Sequence, residues 1–435
     1  MRQKRRVVVL CLFAALTGAS LAAASGFGLF QHGARAIGQA GAFTARASDP
    51  SAVSYNPAAI AQLTGLQAEA GLDMNNPTIS YDSASGSYKA RHIIQFPPAV
   101  YVTWKAKSNP FALGIGYDSP FDDSVFWDPR LFPGRFITRR YEVRIYELHP
   151  VVAYDLGDGW SVGGGLRYAF GNVDRDDNAI EHLLVGTSSG PITPVSVEVE
   201  RNATADVHTG GLAWDVGIDY KAPSWGWGGV FRSAESLKGN GTVSYRPRDV
   251  PTGVPGLDST LQSVFVNGGV RESFELPREI RAGVWYAPYP ELRIELDASF
   301  QSWSSFQATS VTYSPNAFHP FTPTETIPRD WKDTTNLRLG VEGNVTDHFI
   351  LMGGIAREQS PVPDRTIEPG FPLGDATVYA AGFSYDFPVV SFDMAYSYHA
   401  FSNHAAPNQE PLNPGRSGTY SARDQVFGVT ARWRF

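Results

Sequence analysis

The strongest constraint on this chain is a period of two. From about Leu66 onward, segments of roughly eight to twelve residues alternate apolar and polar side chains, and each is followed by a connection. Near the C-terminus, Phe427, Val429, Ala431, Trp433 and Phe435 share one face, and Gly428, Thr430, Arg432 and Arg434 share the other. The same pattern sets Val390, Phe392, Met394, Tyr396 and Tyr398 against Ser391, Asp393, Ala395, Ser397 and His399. It sets Leu292, Ile294, Leu296, Ala298 and Phe300 against Arg293, Glu295, Asp297, Ser299 and Gln301, and Leu212, Trp214, Val216, Ile218 and Tyr220 against Gly211, Ala213, Asp215, Gly217 and Asp219. Side chains that switch sides at every residue belong to strands, here strands with one wholly apolar face.

Soluble sandwiches and propellers alternate too. Two features argue for a membrane barrel instead. Aromatics gather near the ends of the apolar faces while the opposite faces carry charges, as in a strand that touches lipid outside and water inside. Connection lengths also alternate. Short turns fall at 105–109, 155–159, 221–224, 287–290, 344–347 and 386–388, and long polar connections at 75–92, 118–142, 172–205, 234–271, 302–333, 358–374 and 401–421. Six short and seven long connections imply fourteen antiparallel strands, both barrel ends on the periplasmic side, and all edges closed as lipid requires. The predicted fold is all-β, a fourteen-stranded antiparallel transmembrane β-barrel.

Composition agrees. Charged residues make up 18% of the chain, aromatics 13%, and mean hydropathy is −0.20. The low charge does not suit an ordinary soluble enzyme. Past residue 24 no apolar run approaches the roughly 18 to 20 residues of a spanning helix.

The N-terminus reads as an export signal spanning residues 1–24. Arg2, Lys4, Arg5 and Arg6 precede the apolar run Val7 to Leu16, and Ala22-Ala23-Ala24 offers an A-x-A cleavage site. Cys11, the one cysteine, lies inside that run, so a cleaved chain has no thiol chemistry. Losing four basic side chains takes the formal charge from −7 to about −11, which argues against a nucleic-acid partner.

Residues 25–64 do not alternate. Asp49-Pro50 and Asn56-Pro57 each put a capping residue before a proline, and residues 56–61 read as a short helix stopped near Gly65. The expectation is an N-terminal, mostly helical hatch (25–64) plugging the lumen of a barrel formed by 65–435. Fourteen strands otherwise enclose a leaky space.

The residues Ser25-Gly26-Phe27, Gly33, Gly38, Gly41-Ala42 and Tyr55-Asn56-Pro57-Ala58 resemble the hatch of the FadL family of outer-membrane long-chain fatty acid transporters, with its aromatic-hydrocarbon relatives. Leu276-Pro277, at the opening of the eighth strand, Trp303-Ser304-Ser305-Phe306-Gln307, at the end of the ninth, and Ser360-Pro361-Val362-Pro363, after the eleventh, extend the likeness over nearly the whole chain. The resemblance implies energy-independent uptake of hydrophobic molecules. External loops catch the ligand, and it leaves after hatch rearrangement or through a lateral opening at a kinked third strand. Phe27, Asn56, Pro57 and Ala58 are then hatch residues, and Gly114 and Gly116, in a third strand over 110–117, are candidates for the kink.

A site for such ligands needs apolar side chains where loops are normally polar. The connections supply Phe126, Trp127, Leu131, Phe132 and Phe136, then Leu183 and Leu184, then Leu257, Leu261 and Phe265. These either bind ligand or form a small core among the loops. Arg144, Arg167, Arg281 and Arg338 are candidate partners for a ligand carboxylate, or else they pair with wall carboxylates such as Glu295, Asp297 and Glu342. No basic residue follows Gln307 closely. Gly186-Thr187-Ser188-Ser189-Gly190 matches a hydrolase motif but lacks a strand-to-helix elbow, and the histidines show no metal-ligand spacing. No cofactor, metal or enzyme activity is expected. The partners expected are a hydrophobic small molecule and the lipids and lipopolysaccharide around a monomeric barrel. A lipid-acting barrel enzyme and a general porin are the alternatives.

Overall fold

A computed structural model describes residues 31–185, 193–248, 257–315, 323–406 and 417–435. Its wall is fourteen strands. They are β1 (Gly65–Asn75, continued by Thr78–Ser83), β2 (Gly86–Lys89 and Pro98–Lys105), β3 (Phe111–Phe126), β4 (Arg140–Gly157) and β5 (Trp160–Val185). Next come β6 (Thr193–Thr209 and Ala213–Lys221), β7 (Trp225–Arg232 and Glu235–Pro247), β8 (Gly268–Leu276 and Glu279–Tyr289), β9 (Leu292–Gln301 and Ala308–Tyr313) and β10 (Thr324–Pro328 and Thr334–Asn344). The last are β11 (Phe349–Glu358), β12 (Ala376–Asp386), β13 (Val390–Phe401) and β14 (Gly418–Arg434). Each pairs antiparallel with its neighbours in sequence, and β1 pairs with β14 in the register Leu72↔Val429, which closes the ring.

Burial is inverted relative to a water-soluble protein. Around the ring the exposed outward side chains are Leu72, Leu113, Val152, Leu166, Val216, Val284, Leu296, Leu337, Met394 and Val429, while Asp215, Glu295, Asp297, Glu342, Asp393 and Arg432 point inward and are buried. An apolar belt facing out and charges facing in fit hydrocarbon outside and a polar interior. Trp104, Phe111, Tyr154, Trp160, Trp225, Tyr385 and Phe435 form an exposed girdle at the short-turn end.

Several strands run further than the alternation indicated. The connection expected at 172–205 is mostly β5 and β6 extending outward, and the third strand runs to Phe126 rather than ending at Tyr117. Leu276-Pro277 does not open the eighth strand. It sits at a break within it, level with breaks in β6, β7, β9 and β10.

Residues 31–63 lie inside the ring and are almost wholly buried. They contain α1 (Ala34–Ile37), α2 (Ala52–Tyr55) and one 3-10 turn, Pro57–Gln62, joined by turns, so the segment is less helical than expected. Asn56 caps the 3-10 turn, its side chain accepting from the Ala58 N–H at 3.2 Å. At Asp49-Pro50 the carboxylate instead accepts from Ser51 N–H and Oγ, and the helix starts only at Ala52.

Candidate functional site

Inward wall carboxylates grip the inner segment. Glu342 takes Arg35 at 2.8 Å and Arg46 at 3.0 Å, and Glu295 takes Arg46 at 3.2 Å and the Ala45 N–H at 2.7 Å. Asp297 accepts from the N–H groups of Phe43 (3.0 Å) and Thr44 (2.9 Å). On the far side Gln62 donates to Asp219 at 2.6 Å, and Lys105 donates to the Ala61 carbonyl. The sequence reading gave these carboxylates to wall arginines. It missed Arg35 and Arg46, whose partners lie some 250 to 300 residues away.

The Asn56-Pro57-Ala58 box lies against wall glycines. The Asn56 amide donates to the carbonyls of Thr44 and Ile218, both at 3.2 Å. A Cβ on Gly217 would stand 2.2 Å from Asn56 Oδ1, and one on Gly163 would stand 2.7 Å from the Pro57 carbonyl carbon. Only glycine leaves the wall backbone open to the Asn56 side chain and the Pro57 backbone at these distances. Phe27 lies outside the described residues.

Gly114 and Gly116 sit in regular ladder positions and make room for Val53 and Ile60. The irregularity in β3 comes later. Its register with β4 shifts between Asp118 and Phe121, at Ser119-Pro120, and pairing with β2 ends at Tyr117. Proline removes a ladder donor, so it marks the distortion better than the glycines do. Asp118 accepts from Tyr101 Oη at 2.8 Å and from the Ser54 hydroxyl, which joins this bulge to α2.

Beyond the inner segment an aromatic core fills the outer lumen. Trp127 stacks on Phe132 at 4.2 Å, Phe132 meets Tyr81 at 5.5 Å, and Tyr81 meets Tyr420 at 4.7 Å. Tyr141, Phe371, Trp331, Phe306 and Trp303 continue the packing, with centroids 4.4 to 5.2 Å apart. The Trp127 indole donates to the Pro369 carbonyl at 3.0 Å. Trp127 and Phe132 are therefore deep lumen residues, whereas Phe126 lies under Arg140, Phe136 lies under Arg135, and Leu131 is 72% exposed. The turn that carries Leu131 is pinned by Asp128, which accepts from the Arg130 and Leu131 N–H groups at 2.8 and 2.7 Å; these bonds hold its carboxyl below the usual range.

A second cluster stands apart. Leu257, Leu261 and Phe265, the first two on α3 (Leu257–Val264), pack on Val197 and Val199 with Leu183 alongside, and Leu261 and Phe265 border an outer cleft of about 870 Å³. Leu184 lies on β5, and its side chain is outside what is described. Gly186–Gly190 is outside the described residues too.

Between α2 and the aromatic core lies a cavity of about 50 Å³, bounded by Ser54, Tyr55, Asp118, Phe121, Leu276, Trp303 and the guanidiniums of Arg167, Arg232 and Arg281. Burial pushes His32 at its edge below the ordinary histidine range and pushes the Tyr55 hydroxyl up. The candidate arginines all have carboxylates in reach. Arg144 meets Glu142, Arg167 meets Glu147 at 2.6 Å and Glu235 at 3.2 Å, Arg281 meets Glu279 at 3.1 Å, and Arg338 meets Glu358 at 3.1 Å. Arg232 was not singled out in the sequence because it sits where β7 breaks.

A family model described as "Outer membrane protein transport protein (OMPP1/FadL/TodX)" matches residues 15–435. The chain belongs to this family. Within the OMPP1/FadL/TodX family it is 22% identical over 401 residues to the long-chain fatty acid transport protein of Salmonella typhi, covering 86% of this chain and 87% of that one. The corresponding Escherichia coli K12 protein is 23% identical over 410 residues, with the same coverage. Among solved structures, a Pseudomonas aeruginosa FadL homologue superposes with a TM-score of 0.80 at 18% identity, covering 94% of this chain and all of that one. The Pseudomonas putida toluene transporter TodX gives 0.71 at 15% identity, covering 94% and 99%. The protein is thus an outer-membrane transport barrel and not an enzyme, which sets aside the lipid-hydrolase alternative.

Proposed function

We propose that this protein is a passive outer-membrane uptake channel for long-chain fatty acids or alkyl-aromatic hydrocarbons. The observation that carries the reading is the stacked aromatic core, directly above a buried inner segment, inside a barrel whose outer face is apolar. Relatives named as fatty acid and toluene transporters support the same ligand range. At about 0.8 kcal/mol per buried methylene, such a lumen holds an alkyl chain without special chemistry.

In this reading residues 1–24 are removed on export and 25–64 are the hatch. Ligand enters past the cleft beside Leu261 and Phe265, reaches the aromatic core, and leaves when the hatch shifts or where β3 parts from β2. The barrel works as a monomer surrounded by lipid and lipopolysaccharide, without a cofactor. Binding of radiolabelled palmitate and of toluene to the refolded barrel tests the reading. Saturable binding of at least one is expected, and binding of neither overturns it.

A further inference from the structure

The outer halves of β6 to β10 reverse the facing of the inner halves. Below the breaks in these strands, apolar side chains face out and charged ones face in. Above the breaks Val207, Leu237, Phe274 and Val311 are buried inward, and the outward row turns polar, with Thr204, Asn240, Ser273 and Thr326 exposed. The apolar belt therefore stops at this level, and the wall above it stands among lipid head groups. Two exposed cations lie in the polar band, Lys238 on β7 and Arg271 on β8. Lys238 is opposite Ser273 and Arg271 is opposite Asn240, so the two are diagonal neighbours on one face, about 7 Å apart at the backbone. On the other side Lys238 is opposite His208, which is itself opposite Phe170, an exposed aromatic at the top of the belt on β5. Inward arginines are neutralised within the wall: Arg167 meets Glu147 at 2.6 Å, and Arg432 meets Asp393 at 2.6 Å. Among the described residues, neither Lys238 nor Arg271 forms an ion pair with the chain.

A guanidinium fork and an ammonium on one exposed face suit a phosphate, which the fork takes with two oxygens and the lysine as a point charge. The neighbours narrow the choice further. Asp206, opposite Asn240, and Glu275, opposite Ser236, are exposed on the same face and bound the two cations. Carboxylates accept from hydroxyl and amide donors, which a saccharide has and a plain glycerophosphate lipid lacks. Asn240 and Ser273 add neutral donors and acceptors between them. We propose that Lys238 and Arg271 dock the phosphorylated sugar head of lipid A, the membrane anchor of lipopolysaccharide, with a phosphate on the two cations and sugar hydroxyls or amides on Asp206 and Glu275. The acyl chains of that lipid then run down the apolar belt, in continuity with the lipid face of β6 to β8. Its head braces the outside of strands whose inner faces carry Leu237 and Phe274 of the aromatic core. The inference rests on the reading above of a barrel surrounded by lipopolysaccharide and names the residues that hold that lipid.

The test titrates the full refolded barrel in detergent with three probes and reads bound lipid by native mass spectrometry. The probes are bisphosphorylated lipid A, the same lipid with both phosphates removed, and dioleoyl phosphatidic acid, which carries a phosphate without a sugar. Bisphosphorylated lipid A is expected to bind saturably and the other two at least tenfold more weakly. In the double variant Lys238→Gln, Arg271→Gln its affinity should fall about thirtyfold, which is about 1 kcal/mol for each cation beside an anionic lipid. Lys238→Arg with Arg271→Lys keeps both charges and should keep most of the affinity. Lipid A bound equally well with and without its phosphates, or unaffected by the double variant, overturns the docking site while leaving the lipopolysaccharide surroundings intact. Phosphatidic acid bound as tightly as lipid A overturns the sugar contacts, and with them the choice of lipid. No saturable lipid A binding at all overturns both the site and the lipopolysaccharide reading on which it rests. Palmitate and toluene binding to the same samples reads the uptake function separately, and the probe comparison on the unaltered protein decides the matter even if the variants do not fold.

Discussion

At Gly217 a single methyl group would collide with Asn56 Oδ1, because the Asn56 side chain and the Pro57 ring press directly on the wall backbone there. Gly217→Val should therefore push the Asn56-Pro57-Ala58 turn off β6 while leaving the outward row of that strand untouched. The expected result is a barrel that still resists unfolding in detergent but shows frequent open steps in planar bilayers; steps like those of the parent protein would refute it. Asn56 allows a subtler test. Its amide donates to Thr44 and Ile218 carbonyls, and its oxygen caps Ala58. Asn56→Asp keeps the shape and the cap but turns two donors into a carboxylate facing two carbonyls. Leaving those acceptors unmatched costs about 1–3 kcal/mol, which should appear as faster amide exchange across 57–62.

The strands were legible from the sequence where lipid touches them, and less so elsewhere. Opposite solvents on the two faces impose strict alternation, so the rows around Leu296, Met394 and Val429 lie outward as read. Above the bilayer that contrast ends. The outer halves of β5 and β6 carry Asp174, Asp176, Glu198 and Glu200 in a network with Arg139, Arg140 and Arg248; Val195, Val197 and Val199 do alternate with Ser196, Glu198 and Glu200 there, but the density of charge made the stretch read as loop. The inner segment was visible as a stretch that fails to alternate and in its Asn56-Pro57 cap. Its grip on the wall was hidden because Arg35 and Arg46 find Glu342 and Glu295 far along the chain, a pairing that no local pattern records. The cavity arginines were seen in part: Arg167 and Arg281 lie on regular rows, while Arg232 stands at a strand break. Deleting residues 25–64 should leave Glu295, Asp297 and Glu342 facing an open lumen. Single-channel conductance should then rise severalfold over the intact protein, and an unchanged conductance would mean that the segment is not the plug.

For the molecule as a whole, the exposed apolar belt makes stability depend on depth in the bilayer. Leu296 lies midway along the first segment of β9 and is 53% exposed on the lipid side, while Ser304 is exposed in the break beyond Gln301, where its N–H donates to Asp333 and its carbonyl accepts from Gln307. An arginine at the bilayer midplane costs about 2–4 kcal/mol and one near the interface about 0–1. Leu296→Arg should therefore lower the unfolding free energy of the barrel in lipid vesicles by the larger amount, and Ser304→Arg should barely change it. The inward neighbour of Leu296 gives a contrast of another kind. Asp297 holds the Phe43 and Thr44 N–H groups, so Asp297→Asn should weaken the wall's hold on the inner segment and raise leak current without a comparable loss of barrel stability. Urea unfolding in vesicles reads the first effect and planar-bilayer recording the second. If Leu296→Arg and Ser304→Arg proved equally mild, the belt would not be lying in hydrocarbon, and the assignment of the outer face to lipid would have to be given up.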